Sequence, residues 1–281
     1  MKHDALNTQH NQKVFIYMKI LVIGDIVGKP GRRAFAQIAS AMKSEGVVDF
    51  VVANAENAAG GRGPSPRIAQ ELFAAGADIL TLGDHAWDEK KLLPYLDENR
   101  FIVRPANFAD TCPGRGWTTI STAHGNLTVL NLIGRVFMQP LYNCPFEISG
   151  KILAEKTGKS NVIIVDFHAE ATSEKIAMGY HLDGRVTAVL GTHTHVQTSD
   201  ECILPGKTAY ITDMGMTGPK ESVIGREIKP VLHKFRTGMP QRFDVASRDI
   251  KLEGVLIDAD EKTGRARSIK RIRESYTMER D

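Results

Sequence analysis

Residues 18–25 read Met18-Lys19-Ile20-Leu21-Val22-Ile23-Gly24-Asp25, an unbroken aliphatic run closed by a glycine and a carboxylate. A run this short and this continuously apolar predicts a strand buried on both faces. The pattern recurs at 50–53, 79–82, 128–132, 162–165, 186–190 and 209–211, each run rich in Val, Ile or Leu and bounded by Gly, Asn or Asp. Helical stretches lie between. Residues 32–45 put Phe35, Ile38 and Met42 on one stripe, with Pro30-Gly31 before it and Gly46 after it. Residues 65–75, 88–99 (interrupted by Pro94), 147–156 and 173–181 are further helix candidates. Strand and helix in alternation predict a layered α/β fold.

After about residue 220 the style changes. Residues 243–246, 250–257 and 266–272 read as antiparallel strands, and the turn-rich 258–264 joins the last two as a hairpin. The expected organisation is one domain over 18–273, an N-terminal extension at 1–17 outside the fold, and a frayed tail at 274–281.

Composition removes whole classes. With 281 residues, 42% of them hydrophobic, the chain can bury a large core without disulfides. No apolar run approaches the length of a bilayer span. Lys and Arg number 36 against 33 acidic residues, a net +3, which speaks against a dedicated nucleic-acid binder. Lys262, Arg265, Arg267, Lys270, Arg271 and Arg273 cluster near the end, but a solvated strand face accounts for them. Cys112, Cys144 and Cys202 are odd in number and widely spaced, so neither a disulfide framework nor a thiolate zinc site is expected, and the reading is cytoplasmic. Residues 24–30 (GDIVGKP) lack the spacing and the hydroxyl of a phosphate loop. There is no GxSxG elbow, and no GxGxxG follows a strand.

The polar residues at the strand ends are informative. The first strand closes on Gly24-Asp25, the second on Asn54-Ala55-Glu56-Asn57 and the third on Gly83-Asp84-His85. The run at 162–165 leads through Asp166-Phe167 to His168, and the run at 186–190 leads to Gly191-Thr192-His193-Thr194-His195. In open α/β sheets the binding crevice lies outside the carboxyl ends of the strands. Five segments therefore deliver carboxylates, an amide and imidazoles to one edge. Imidazole with carboxylate is a ligand set for zinc, iron, manganese and similar ions. In an extended chain His193 and His195 would share a face while Thr194 points away. The number of ligands exceeds the four of a structural zinc site and suits two metals sharing a carboxylate.

These blocks, with Pro30-Gly31-Arg32, Ala58-Ala59-Gly60-Gly61, Ala86-Trp87-Asp88, Arg104-Pro105-Ala106-Asn107, Ala169-Glu170 and Asp213-Met214-Gly215-Met216-Thr217-Gly218-Pro219, give the chain its resemblance. From Met18 to about Ile272 it resembles the calcineurin-like metallophosphoesterases and, within them, the YmdB-type bacterial phosphodiesterases. The resemblance implies a four-layer α/β/β/α sandwich with two metal ions, iron or manganese, at the strand ends. Asp25, Glu56 and His195 would hold one metal. Glu56 as bridge, Asp84, His168 and His193 would hold the other. Asn57 would sit beside the centre and bind substrate, and His85 would be the general acid. The implied reaction is hydrolysis of phosphodiesters, typically 2′,3′-cyclic nucleotides, by a metal-bridging hydroxide.

One departure from the family pattern matters: its Gly-Asn-His is Gly83-Asp84-His85 here. The extra carboxylate is expected to strengthen metal retention, favour a more oxidised ion and weaken attraction for an anionic phosphate. Arg104, Asn107, Arg135 and Thr217 are candidate base or phosphate contacts. The expected partner is a small phosphoester or cyclic nucleotide, with self-association open, no membrane and no stable nucleic-acid complex. The alternatives are a phosphomonoesterase for a small metabolite and, more distantly, a metal-stabilised RNA-binding regulatory module.

Overall fold

The computed structural model describes residues 17–122, 125–140, 142–155 and 161–277. Among them two sheets form. The larger contains β1 (Tyr17–Ile23), β2 (Asp25–Ile26), β3 (Phe50–Asn54), β4 (Ile79–Thr81) and β5 (Ile102–Val103). The chain returns to it with β12 (Met216–Pro219), β13 (Ile250–Asp260) and β14 (Ala266–Ser275). The strand order is β2-β12-β13-β1-β3-β4-β5, with β14 paired to β13. The smaller sheet holds β6 (Trp117–Thr122), β7 (Gly125–Ile133), β8 (Val162–His168), β9 (Ala188–Thr192), β10 (Cys202–Ile203) and β11 (Ala209–Ile211), in the order β10-β11-β9-β8-β7-β6. The helices are α1 (Gly28–Ser44), α2 (Pro66–Ala74), α3 (Leu92–Glu98), α4 (Pro145–Glu155), α5 (Thr172–Leu182) and α6 (Ile228–Thr237).

The period-2 alternation of strand side chains sorts the core. On one face of the larger sheet Leu21, Ile23, Val51, Ala53 and Leu80 cluster with Phe35 of α1, Ile68 and Leu72 of α2, and Leu92 and Leu96 of α3. On the opposite face Ile20, Val22, Phe50, Val52 and Ile79 cluster with Leu127, Val129, Val162, Ile164, Ala188 and Leu190 of the smaller sheet. The far face of the smaller sheet sets Leu130, Leu132, Val165, Phe167 and Val189 against Met178 and Leu182 of α5. Each such Val, Leu, Ile, Phe or Met side chain contributes roughly 1.5–3 kcal/mol on full burial.

The parallel pairs β1–β3, β3–β4, β7–β8 and β8–β9 point their carboxyl ends the same way within each sheet. That edge carries the polar strand ends. No helix among the described residues is long and apolar enough to cross a membrane.

Several boundaries differ from expectation. Tyr17 belongs to β1, opposite Asp260, because the hairpin partner is long enough to pair it; residues 1–16 lie outside the described residues. Glu274 and Ser275 are not frayed but pair with Leu252 and Lys251, while 278–281 lie outside the described residues. Residues 243–246 form no strand and make one isolated bridge, Val245 to Arg226. Pro94 interrupts nothing: α3 starts at Leu92, so the proline sits in a first turn whose N–H groups have no intrahelical partner. Four of the six basic residues, Arg267, Lys270, Arg271 and Arg273, lie on β14, where Arg273 pairs with buried Glu253 and Arg267 lies over the Tyr17 ring.

Candidate metal centre

Glu56 follows β3, Asp84 and His85 lie on a 3-10 turn at Asp84–Trp87 after β4, His168 ends β8, and His193 and His195 follow β9. One ligand atom from each of Glu56, Asp84, His168 and His193 lies within 4.8 Å of the others. His168 Nε2 is 3.2 Å from Glu56 Oε1, 3.0 Å from Asp84 Oδ1 and 3.0 Å from His193 Nδ1. A second group adjoins through Glu56. Asn57 Nδ2 donates to Glu56 Oε1 at 2.9 Å and to Asp25 Oδ1 at 3.4 Å, and lies 3.2 Å from His195 Nε2. His195 Nε2 is 3.6 Å from Asp25 Oδ1. The residues expected to share two metal positions thus converge as two adjoining groups, with Glu56 common to both.

Electrostatics fits a cation. Burial disfavours the charge on Glu56, and the charges of Asp84 and Asp25 add to it; His168 opposes them, yet the pKa is raised. Burial works against a charged His168 too, but Glu56, Asp84 and Asp25 outweigh it and hold its pKa well above 6.5. A proton on that ring supplies the positive charge that three carboxylates demand, and a divalent ion would supply more. Asp84 and Asp25 stay ionised: burial acts to raise them, and the histidines beside them pull them lower. His193 is pushed down to about 4 by burial and by the His168 charge, which keeps it a neutral donor.

The back nitrogen of each histidine is tied, which selects the nitrogen left for a metal. His168 Nδ1 meets Thr192 Oγ1 at 3.0 Å, and that hydroxyl donates to Asp166 Oδ1 at 2.7 Å. His193 Nε2 lies 3.2 Å from Glu170 Oε2, and His195 Nδ1 lies 3.1 Å from the Ile224 carbonyl oxygen. Free to the centre are therefore Nε2 of His168, Nδ1 of His193 and Nε2 of His195. Beneath the site, Asp166 also accepts from Thr81 Oγ1 at 2.5 Å and from Asn54 Nδ2 at 3.2 Å, joining the two sheets. Burial pushes its carboxyl up to about 6 against the pull of those hydroxyls. Asn54 Oδ1 in turn accepts the Glu56 N–H at 3.1 Å and sets the start of that turn.

His193 and His195 do not converge by extended geometry. The strand ends at Thr192, and the two histidines have φ of +98° and +64°. This left-handed backbone sends them to different groups instead of one face. It is held by Thr194, whose N–H and hydroxyl both donate to Asp213 Oδ2 at 3.1 and 2.7 Å. Buried Lys175 of α5 pairs with the same oxygen at 2.7 Å. Gly83 is a further requirement: a Cβ there would collide with Glu56 Oε2 and lie 2.5 Å from His168 Nε2. Neither the tying groups nor Gly83 stood out in the sequence beyond their position beside a ligand.

His85 faces a different partner. Its Nδ1 is 2.9 Å from Asp88 Oδ2, and its ring is partly exposed. Of the candidate substrate contacts, Arg104 is buried and donates to the carbonyls of Pro105, Cys112, Pro113 and Gly114. Asn107 and Thr217 are likewise buried on backbone partners. These three hold loops and strands together, because their polar groups are spent before a ligand arrives. Arg135 alone of the set is exposed.

The YmdB-like protein family matches residues 21–272. A curated relative from Bacillus subtilis strain 168, a 2′,3′-cyclic-nucleotide 2′-phosphodiesterase, is 45% identical over 255 residues, covering 91% of this chain and 96% of its own. A crystal structure described as a novel phosphatase from Mycoplasma pneumoniae superposes with a TM-score of 0.87 at 33% identity, covering 92% of this chain and 94% of its own. A hypothetical protein from Thermus thermophilus gives 0.85 at 38% identity, covering 92% and 100%. With its strand ends, histidine pairings and nearly full-length matches in agreement, the chain belongs to the YmdB-like protein family.

Proposed function

We propose that the protein is a metal-dependent phosphodiesterase hydrolysing 2′,3′-cyclic nucleotides at a dinuclear centre. The observation that carries this reading is the convergence of Glu56, Asp84, His168 and His193 within 4.8 Å, next to Asp25, His195 and Asn57. Asp25, Glu56 and His195 would hold one ion, and Glu56, Asp84, His168 and His193 the other. Asn57 Nδ2 would donate to a phosphate oxygen of the substrate. The mixed oxygen and imidazole donors, with no thiolate, suit iron or manganese. Bound there, two such cations would supply an acidified water and neutralise the phosphoryl oxygens.

The chain's own residues do the rest. Asp88 occupies His85 Nδ1 and leaves Nε2 as the nitrogen that gives a proton. In the reaction a water gives up a proton to solvent and its oxygen bonds to phosphorus, the bond to the 2′ oxygen breaks, and that oxygen would take the His85 proton. Such general acid catalysis contributes roughly 10²–10⁴-fold. The three apolar clusters support the four-layer α/β/β/α reading, with α1–α3 outside one sheet and α5 outside the other.

The test is hydrolysis of 2′,3′-cyclic nucleotides against p-nitrophenyl phosphate, with manganese or ferrous iron added and after chelation. Metal-dependent turnover of the cyclic diester is expected. Preference for the monoester would favour a phosphatase, and full activity after exhaustive chelation would end the reading.

A further inference from the structure

The loop after β7 carries a side chain that the fold does not explain. Phe137 is 86% exposed and its φ is +63°, a left-handed backbone that glycine adopts freely and phenylalanine does not. A lone exposed apolar residue needs no explanation. One that gains no burial and also bears strain does, and such outliers gather at ligand-binding positions.

The described residues on either side of Phe137 are anchored. Asn107 Nδ2 bridges the carbonyls of Ile133 at 2.8 Å and Asn143 at 2.9 Å, closing its two ends. The N–H groups of Arg135 and Val136 both donate to buried Glu174, at 3.0 and 3.1 Å. Gly134 N donates to the His168 carbonyl oxygen at 2.9 Å. A Cβ at Gly134 would lie 2.6 Å from both Ala169 and Glu174, so the loop hugs the end of β8. On the other side of Phe137, buried Met138 joins the apolar cluster of Ala86 and Phe108, with Trp87 and Tyr142 packed against it. Ala86 and Trp87 belong to the turn that bears Asp84 and His85. Phe137 is therefore bracketed between the segment carrying His168 and the segment carrying His85. Two residues separate it from Gly134, a reach of three Cα steps or at most about 11 Å of chain.

We propose that Phe137 is the base platform of this site, its ring stacking on the nucleobase of a 2′,3′-cyclic nucleotide whose phosphate lies at the His168–His193 cluster. The proposal rests on the phosphodiesterase reading and adds to it the part of the substrate that the metal ligands do not touch. Bases stack on aromatic rings with little regard to sequence, and an anchored loop holds such a ring without further ordering on binding. Exposed Arg135, two residues away, gives the same loop a cation for an anionic ligand.

The experiment compares the manganese-loaded full chain with F137A, F137W and F137G. Each is assayed on 2′,3′-cyclic AMP and on glycerol 1,2-cyclic phosphate, which has the reacting ring without the base. The ratio of kcat/KM for the nucleotide over the base-free diester should fall about tenfold in F137A and F137G, mainly through KM, and be retained in F137W. F137G should also melt higher than the parent, because glycine relieves the left-handed backbone. An unchanged ratio in F137A, or a lower melting temperature in F137G, overturns the platform while leaving the phosphodiesterase reading intact. A parent enzyme that hydrolyses neither diester overturns the phosphodiesterase reading and the platform together.

Discussion

His85 and His193 follow strands of different sheets, β4 and β9, and differ in what a metal would ask of them. His193 turns Nδ1 to within 3.0 Å of His168 Nε2 and rests its other nitrogen on Glu170, the posture of a ligand. His85 spends Nδ1 on Asp88 and lies outside the group of converging donors. His85→Ala should keep its metal and lose turnover by roughly 10²–10⁴-fold, whereas His193→Ala should lose metal and turnover together. Elemental analysis beside kinetics separates the two, and metal loss in His85→Ala would make His85 a ligand. Asp84 is a third carboxylate at the centre, and it stays ionised beside His168. Asp84→Asn should therefore lower KM for bis-p-nitrophenyl phosphate while loosening the metal; a KM that holds or rises refutes the charge argument. These residues were legible because each follows an apolar strand. Glu170, Thr192 and Asp166 were not assigned their tying roles, because a group that binds the back of a ligand has the same sequence signature as any polar loop or strand residue.

At the scale of elements, the 193–195 turn depends on a helix that never reaches the centre. Lys175 of α5 is buried and pairs with Asp213 at 2.7 Å, and the same carboxylate holds Thr194 between the two histidines. Lys175→Met would keep most of the side-chain volume but strand a buried carboxylate, at a cost of about 3–5 kcal/mol. Urea unfolding of the metal-free protein should register that loss. Metal titration should also weaken, since the turn that orients His193 and His195 loses its anchor. A variant as stable as the parent would mean that Asp213 takes up a proton at little cost. The extended-chain reading of His193-Thr194-His195 failed at this scale. Alternation along a strand could be read from the sequence, but the left-handed φ values come from a tertiary ion pair with partners at 175 and 213. Strands β1, β3 and β8 were legible from continuous apolar runs and β13 from its hairpin turn, whereas β6, Trp117-Thr118-Thr119-Ile120-Ser121-Thr122, has too few aliphatic residues to declare itself.

For the whole molecule, the centre is also a stability element, because it draws ligands from both sheets. Asp25, Glu56 and Asp84 follow strands of the larger sheet, and His168, His193 and His195 come from the smaller one. Without a cation, burial raises the Glu56 pKa, and the nearby charges of Asp84 and Asp25 add to it. Unfolding separates the two groups of donors, so an ion that binds the folded state alone stabilises it by mass action. At a free metal concentration 100 times Kd the gain is about 2.7 kcal/mol per site. For a chain of this size that corresponds to a rise in melting temperature of about 5–10 °C. Manganese or ferrous iron should produce the rise in the parent protein, chelation should reverse it, and His168→Ala should abolish most of it, since that ring faces both Glu56 and Asp84. Because a melting curve needs no substrate, a flat response in the parent would count against metal binding at this edge whatever the activity assays return.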